Sequence, residues 1–383
     1  AGETEGSRVY LALYRKWRPK TFDDVVGQEH ITKTLKNEVS AGKTAHSYLF
    51  TGSRGTGKTT CSKILAMAVN CLHPVDGNPC MECEVCRGIE DGSILDVLEI
   101  DAASNNGVDD VRILREEANY TPAQCRYRVY IIDETHMLST SAFNALLKIM
   151  EEPPEHVKFI LATTEVHKVP ATVLSRCQRF DFVRIKTEEI ARRLLYISSQ
   201  EAFELTEEAA FLIARLADGG MRDALSILDQ CIAFSDQVNE EVVSNAAGLV
   251  SREYLFEIAR VIAEKDPSRA IDMMDKLYIG AKDLQKLIGE LIDHFRNLMI
   301  VKTVDDPKEL VRCLPEELSE LKEQSRLFPL AEVLRILSVL QDCLDKIGRD
   351  FDKRLTVEMT MIQLCSPKMD DSTGALLQRI EWL

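Results

Sequence analysis

The stretch "GSRGTGKT", residues 52–59, decides the fold, because it fits the phosphate-loop pattern G-x-x-x-x-G-K-[ST]. Glycines in such a loop let backbone N–H groups turn inward around phosphate oxygens. The apolar "HSYLFTG" before it predicts a strand, and "KTTCSKILAMAVNC" after it predicts a helix. The N-terminus of that helix attracts the same negative charge. The sequence therefore predicts a nucleotide phosphate site at a strand-to-helix turn.

Within the loop, the residue types assign the contacts. Lys58 is expected to reach the β- and γ-phosphates, and the Thr59 hydroxyl is expected to ligate Mg²⁺. The backbone of the loop and of the first helical turn is expected to surround the phosphates. These cofactor-binding positions are Gly52, Ser53, Arg54, Gly55, Thr56, Gly57, Lys58, Thr59 and Thr60.

A second apolar run, "VYIIDE" at 129–134, predicts a strand that ends in two acids. Asp133 would hold the Mg²⁺, directly or through water, and Glu134 would orient and polarise an attacking water. The strand ending in "ATT" supplies a polar residue that can report the γ-phosphate. Thr164 is the first candidate and Thr163 the alternative; an ordinary strand-end threonine is the other interpretation.

Four cysteines follow the phosphate-loop helix within residues 70–88, at Cys71, Cys80, Cys83 and Cys86. The spacing C-x8-C-x2-C-x2-C can close a tetrahedral thiolate site, and zinc is its usual occupant in a reducing compartment. Four protein ligands leave no open position, so the predicted zinc would be structural. A redox C-x-x-C pair or unliganded thiols are the alternatives.

The order of predicted elements indicates the domains. Strands alternate with helices over about the first 180 residues, which predicts an α/β domain with a parallel sheet covered by helices on both faces. Beyond residue 186 the pattern is helical only. We expect an α/β core at 8–186 with its cysteine module at 70–88, a first helical domain at 187–246 and a second all-α domain at 247–367. Residues 368–383 would begin a linker to a further region.

Composition limits the possible partners. The chain has 383 residues and a net charge of −15, so any nucleic-acid contact must be local or shared with basic neighbours. The sequence contains no apolar run long enough to span a membrane. Eleven scattered cysteines in a chain of this size favour an intracellular protein over a disulfide scaffold.

Seven motifs occur together along the chain. They are "KWRPKTFDDVVGQEH", "GSRGTGKT", "IDAASNNGVDD", "IIDETHMLS", "NALLKIMEEPP", "LATTEVHKVPATVLSRC" and "GGMRDALSILDQ". As a set they resemble the tau/gamma ATPase subunits of bacterial clamp loaders, which are AAA+ proteins of the DNA polymerase III holoenzyme. The resemblance runs from about residue 9 to residue 366. It implies an AAA+ P-loop fold with a zinc insertion, a lid and a collar.

The resemblance also implies roles for single residues. Arg176 in "SRC" matches the family's arginine finger, which would act on ATP held by a neighbouring subunit; otherwise it would be an ordinary surface arginine. Arg222 in "GGMRDAL" matches the lid arginine that touches the subunit's own ATP. Arg18, Pro19 and Val26 match segments that line the adenine pocket.

The implied function is loading of the ring-shaped sliding clamp onto primed DNA, with ATP, Mg²⁺ and Zn²⁺ as cofactors. Partners would be same-type copies, wrench and stator subunits, the clamp and DNA, in a hetero-oligomer expected to be pentameric in the bacterial cytoplasm, at the nucleoid. Asn105 or Asn106 would cap a helix whose N-terminus faces DNA phosphates, or would be a simple cap. The alternatives are a non-hydrolysing stator subunit, an archaeal or eukaryotic small loader subunit, and a zinc-dependent nucleic-acid-binding module with a vestigial ATPase.

Overall fold

The computed structural model describes residues 11–201, 203–247, 252–280, 283–307, 310–311, 315–347 and 352–366. The chain divides into two compact units, residues 1–238 and 239–383, and each is described by itself. The predicted linker at 368–383 lies outside the described residues, as do the first three residues of the predicted core, 8–10.

The first unit is built around a parallel sheet of five strands. The strands are β1 (Ser47–Gly52), β2 (Val97–Asp101), β3 (Arg128–Asp133), β4 (Val157–Thr163) and β5 (Gln178–Phe182). Their order across the sheet is β2-β3-β4-β1-β5, so β4 lies between the strand of the phosphate loop and the strand that ends in Asp133. The α/β class predicted from the alternating pattern is confirmed.

The central strands are mostly apolar because helices cover both faces of the sheet. Successive side chains point to opposite faces, so Tyr48 and Phe50 pack on one side while Leu49 packs on the other. In β3, Ile131 and Ile132 divide between the faces in the same way. Every residue of β4 is buried. A sheet buried on both faces fixes the strand ends rigidly.

Helices cover both faces of this sheet. Those of the first unit up to the last strand of the sheet are α1 (Leu13–Lys16), α2 (Glu29–Ser40), α3 (Lys58–Asn70), α4 (Glu84–Asp91), α5 (Val108–Glu117), α6 (Thr140–Glu151) and α7 (Ala171–Leu174). Apolar residues of α2, α3 and α4 pack on one face, and those of α5, α6 and α7 pack on the other. Short 3₁₀ turns occur at Phe22–Asp24, Thr135–Met137 and Val166–Lys168.

The rest of the first unit is a small helical region with a minimal sheet. Its elements are α8 (Thr187–Gln200), β6 (Glu204–Leu205), α9 (Glu207–Leu216), α10 (Met221–Ile232) and β7 (Gln237–Val238). The sequence pattern predicted helices only. The structure adds the parallel pair β6–β7, held by Glu204 N–H donating to the Asp236 carbonyl and Thr206 N–H donating to the Val238 carbonyl. Two-residue strands are too short to produce a periodic pattern.

The regular elements described in the second unit are all helices. They are α11 (Glu240–Ala246), α12 (Arg252–Glu264), α13 (Pro267–Ile279), α14 (Leu284–Thr303), α15 (Pro315–Ser325), α16 (Leu330–Ile347) and α17 (Lys353–Cys365). One apolar core joins α12 to α17 and includes Leu291, Phe295, Ile336 and Leu340. Among the described residues, no helix combines the length and the apolarity needed to cross a bilayer.

The burial of β4 predicts how strongly the loss of one of its side chains destabilises the fold. Leu161 is fully buried at the centre of the sheet, so Leu161→Ala should lower the free energy of unfolding of the first unit by about 2–5 kcal/mol. Urea denaturation followed by circular dichroism measures this. Leu95→Ala is the matched control, because Leu95 is 73% exposed and its loss should change stability by less than about 0.5 kcal/mol. Equal effects of the two changes would contradict the placement of β4.

Candidate nucleotide-binding site

Three parallel strands end at one edge of the sheet and bring the predicted site residues together. Gly52 ends β1 and Asp133 ends β3. Strand β4 lies between them and pairs with both: Thr51 of β1 lies opposite Thr163, and Ile132 of β3 lies opposite Leu161. Ligands of open parallel sheets bind beyond the carboxyl ends of the strands. The two halves of the predicted nucleotide site therefore occupy the same edge.

The phosphate loop turns directly into a helix. Gly57 caps α3 with a φ of 105°, a left-handed conformation that favours glycine. The Lys58 side chain is largely buried, and its Nζ donates to the carbonyls of Gly52 and Ser53, each at 2.8 Å. Burial lowers the pKa of Lys58, while the nearby carboxylates of Glu134 and Asp133 act to raise it. The ammonium group thus lies inside the loop that would hold a phosphate.

The acids after β3 contact the same helix. The Thr59 hydroxyl donates to Asp133 Oδ2 at 2.7 Å, so the two predicted Mg²⁺ ligands are adjacent. Asp133 Oδ1 accepts the backbone N–H of Glu134 at 2.9 Å. Glu134 has a φ of 46°, which side-chain-bearing residues rarely adopt and which is common at functional sites. This turn directs its carboxylate along the edge of the sheet.

The two candidate threonines at the end of β4 have different surroundings. The Thr164 hydroxyl donates to Glu134 Oε2 at 3.1 Å. Thr163 is fully buried; its Oγ1 lies 3.0 Å from His136 Nδ1 and accepts the N–H of Glu165. Thr164 therefore contacts the predicted water-orienting acid, and Thr163 contacts the residues that support it.

A cavity of about 780 Å³ opens in front of this edge. Arg18, Pro19 and Val26 line it, and Arg18 Nε donates to Thr60 Oγ1 at 3.3 Å. The phosphate-loop residues that line it are Arg54, Gly55, Thr56, Gly57, Lys58, Thr59 and Thr60. The volume is in the range of 300–1,000 Å³ that is usual for small-molecule sites. The residues predicted to line the adenine pocket and those predicted to contact the phosphates thus line one cavity.

The helical region that follows the sheet touches the phosphate loop directly. Met221 N–H, at the start of α10, donates to the Gly55 carbonyl at 3.0 Å. A Cβ added to Gly55 would lie 2.9 Å from Gly220 Cα, so only glycine permits this approach. Arg222 lines the cavity, with its guanidinium carbon 5.2 Å from the centre of the Tyr14 ring. The first turn of α10 and the phosphate loop therefore form one wall.

Arg176 is placed differently from the other predicted site residues. It follows α7 and is not among the residues that line the cavity. Its Nη1 donates to the Thr172 carbonyl at 2.7 Å, and its Nη2 donates to Glu151 Oε1 at 2.8 Å. Glu151 is the last residue of α6. The guanidinium is thus held at the surface, away from the subunit's own cavity.

The four predicted metal ligands form one cluster. The Sγ atoms of Cys71, Cys80, Cys83 and Cys86 all lie within 4.8 Å of one another. The backbone N–H of Cys80 donates to Cys71 Sγ at 3.2 Å, and that of Cys83 donates to Cys80 Sγ at 3.3 Å. Although burial acts to raise the pKa of Cys83, hydrogen bonds from backbone N–H groups, first that of Leu72, lower it to about 6. Four converging thiols with such support fit a tetrahedral zinc ion.

Some supporting residues were missed by sequence reasoning. Gln28 is fully buried; its amide donates to the Val183 carbonyl at 2.7 Å and accepts the Val183 N–H at 3.2 Å. His136 bridges Glu134 and Glu165, at 3.4 and 3.3 Å. The motifs "VVGQ" and "DETH" contain both residues, but their partners lie far along the chain or across a turn.

The predicted DNA-facing asparagines lie before α5. Asn105 and Asn106 are exposed, and the helix begins two residues after them, at Val108. The Asn105 side chain donates to the Asp101 carbonyl at 3.2 Å, and the Asn106 carbonyl accepts the Ser139 N–H. Both residues therefore stabilise the turn between β2 and α5.

A phosphate loop after β1, acids after β3, and a helical lid that contacts the loop define the AAA+ class of P-loop ATPases. Family models match nearly the whole chain. Residues 27–186 match "DNA polymerase III, delta subunit", and residues 189–237 match "DNA polymerase III clamp loader subunit, ATPase lid domain". Residues 238–378 match "DNA polymerase III subunits gamma and tau domain III".

Curated relatives agree with these matches. DNA polymerase III subunit tau of Bacillus subtilis is 47% identical over 93% of this chain and 63% of its own length. DNA polymerase III subunit gamma of Buchnera aphidicola is 40% identical over 74% of this chain and 79% of its own length. The chain belongs to the DNA polymerase III gamma/tau family of clamp-loader subunits, which confirms the predicted resemblance. It spans about three-fifths of the Bacillus relative.

The position of Lys58 predicts the effect of removing its ammonium group. Lys58→Ala should abolish ATP binding because no other buried cation lies within the loop between Gly52 and Thr59. Isothermal titration of the purified chain measures this. Lys33→Ala, which changes an exposed lysine of α2, should bind ATP normally. Unchanged ATP affinity in a folded Lys58→Ala chain would contradict the site.

The cysteine cluster predicts one tightly bound zinc ion per chain. Metal analysis of protein purified without added zinc should give one equivalent. Cys80→Ser should lose most of it, whereas Cys177→Ser, outside the cluster, should keep it. Folded, reduced wild-type protein with almost no zinc would refute the assignment.

Proposed function

We propose that this chain is the ATP-hydrolysing motor subunit of a bacterial clamp loader. It would act in the cytoplasm, at the nucleoid, to open the ring-shaped sliding clamp and load it on primed DNA. The observation that carries this proposal is the assembly of Lys58, Thr59, Asp133 and Glu134 at one edge of a parallel sheet. Membership of the gamma/tau family supports the choice of clamp and DNA as partners.

The phosphates would lie against the N-terminus of α3. Lys58 would exchange its two carbonyl partners for the β- and γ-phosphate oxygens, which are stronger acceptors. Thr59 and Asp133 would hold Mg²⁺, which neutralises charge that develops on the phosphates. The base would occupy the end of the cavity lined by Arg18, Pro19 and Val26.

Glu134 would orient the attacking water. Its Oε2 accepts the Thr164 hydroxyl, which leaves the second carboxylate oxygen to take a hydrogen bond from water. Thr164, whose hydroxyl donates to Glu134, would report whether a γ-phosphate is present. His136, which lies beside Glu134 and contacts Thr163, would keep this arrangement fixed.

The lid would sense the nucleotide through α10. Arg222 would reach the phosphates of the subunit's own ATP, and the bond from Met221 to Gly55 would transmit movement of the loop. Nucleotide state would then set the angle of the lid. We assign the core to 8–186, the lid to 187–246, the collar to 247–367 and a linker to 368–383.

Arg176 would complete the active site of a neighbouring subunit. Its absence from the lining of the subunit's own cavity supports action in trans. Arginine fingers stabilise charge on the γ-phosphate and contribute roughly a thousandfold or more in rate. An isolated subunit would therefore hydrolyse ATP slowly.

Assembly would use the second unit. Exposed apolar side chains recur at helical spacing on α16 and α17, and such faces mark interaction sites. They are Leu330, Leu334, Leu355, Met359 and Ile362. Same-type copies together with wrench and stator subunits would cover them in a hetero-oligomer, proposed to be pentameric.

Two of the alternative functions have no use for these residues. A stator subunit needs no phosphate loop, whereas Lys58, Thr59, Asp133 and Glu134 are all present and line one cavity. A zinc-dependent nucleic-acid-binding module needs neither Glu134 nor Arg176. The net charge of −15 also disfavours broad nucleic-acid binding.

Complementation between two inactive variants tests action in trans. Arg176→Ala and Glu134→Gln chains, each assembled alone with partner subunits, should bind ATP but hardly hydrolyse it. Mixed assemblies contain sites with an intact Glu134 beside an intact Arg176, so part of the activity should return. The measurement is phosphate release, with assembly checked by gel filtration. Mixed oligomers that form but stay inactive would rule out Arg176 as a trans-acting finger.

A further inference from the structure

The cysteine segment, residues 70–88, contains a tight turn that packs directly on α2. Val75 and Asn78 exchange backbone hydrogen bonds of 3.0 and 2.8 Å. Asp76 and Gly77 between them have φ angles of 49° and 79°, the signature of a type I′ turn. A Cβ added to Gly77 would lie 2.3 Å from the Lys36 carbonyl oxygen. The turn is therefore in backbone contact with α2.

Asn78 extends this contact to the segment in front of the cavity. Its Oδ1 accepts the Phe22 N–H at 2.9 Å, and its Nδ2 donates to Asp23 Oδ2 at 2.7 Å. The residue is 8% exposed, so its bond to Phe22 is shielded from water, whereas its bond to Asp23 is partly buried. A buried amide that uses both ends on one neighbouring segment fixes the position of that segment.

Asp23 is further held by α2. Lys36 Nζ donates to Asp23 Oδ1 at 2.6 Å. This hydrogen bond is the main cause of a lowered pKa for Asp23; burial acts to raise the pKa, and the bond from Asn78 lowers it further. The carboxylate therefore stays charged near neutral pH and accepts both donors.

Helix α4, which contains the last of the four cysteines, reaches the cavity itself. Glu90 near the end of α4 pairs with Lys20 at 2.7 Å, and both residues line the cavity. Met81, between the second and third cysteines, also lines it. The Lys20–Glu90 pair is exposed and contributes little to stability by itself. Together with Asn78, these contacts join the cysteine segment to residues 18–26.

Residues 18–26 need such support because they contain little regular structure. Helix α1 ends at Lys16, and a single 3₁₀ turn at Phe22–Asp24 precedes α2. Yet Arg18, Pro19 and Val26 line the end of the cavity assigned to the base. Ordering a loose segment on binding costs conformational entropy, whereas a segment that is already held does not incur that cost.

We infer that the zinc module braces residues 18–26 and thereby sets the affinity of the nucleotide site, with Asn78 as the positioning residue. The inference rests on the proposed function, since it takes the cavity to bind a nucleotide. Zinc would act only by keeping the turn at 75–78 and helix α4 in place. The rate of the chemical step depends on Lys58 and Glu134, so it should not change.

Nucleotide titration of the full chain, in its zinc-bound form, tests this. Asn78→Ala should weaken ATP binding by about tenfold, the size expected for one or two lost hydrogen bonds, while zinc stays at one equivalent. In the assembled complex KM should rise and kcat should hold. Glu82→Ala is the matched control, since Glu82 is an exposed acid of the same segment and does not line the cavity. It should bind ATP as the wild type does.

Removal of zinc from the wild-type chain is an independent test of the inference. Chelation should weaken ATP binding of the wild-type chain by a similar factor and should add little to the effect of Asn78→Ala. If Asn78→Ala fails to fold, Glu90→Gln provides the test instead. This surface change should weaken ATP binding less, by roughly twofold.

The possible outcomes distinguish a failure of the proposed function from a failure of the inference about the zinc module. A wild-type chain that binds no ATP would overturn the proposed function. A wild-type chain that binds ATP, together with an Asn78→Ala chain that binds it equally well, would overturn the brace and leave the proposed function intact. Equal ATP affinity of the wild-type chain before and after zinc removal would also overturn the inference about the zinc module and leave the proposed function intact.

Discussion

The hydroxyl of Thr59 lies 2.7 Å from the carboxylate of Asp133, and the site depends on this contact. The two residues follow strands that are not neighbours, since β4 lies between them. Only a fixed parallel register, with the three strands ending at one edge, brings the first turn of α3 to the end of β3. Because helices pack on both faces of the sheet, a one-residue slip of a strand would move each of its side chains to the opposite face and disrupt the packing there.

A second close approach links the site to the lid. Gly55 and Gly220 contact each other through their backbones, and Met221 donates to the Gly55 carbonyl. Backbone contact without intervening side chains transmits small displacements, because close-packed groups do not deform continuously. The phosphate loop is therefore joined directly to the start of α10, where Arg222 lies.

The sequence was sufficient where a residue's role follows from local spacing. The phosphate loop, the acids after β3 and the cysteine cluster could be predicted because each is a short motif with one geometry. The bonds of Asn78 to Phe22 and Asp23 could not, since they join segments about 55 residues apart and an asparagine in a turn has many uses. The ion pair of Arg176 with Glu151 was equally invisible, because two surface charges carry no periodic signal. The β6–β7 pair was too short to predict.

The rate of ATP hydrolysis with and without partners tests the central claim most directly. The chain alone should hydrolyse ATP slowly, because it lacks a neighbour's Arg176 at its own site. The chain assembled with clamp-loader partner subunits should be faster, and primed DNA together with the sliding clamp should stimulate it further. A rate that is the same in all three conditions, or ATP binding without hydrolysis in the complete assembly, would contradict a motor role for this chain.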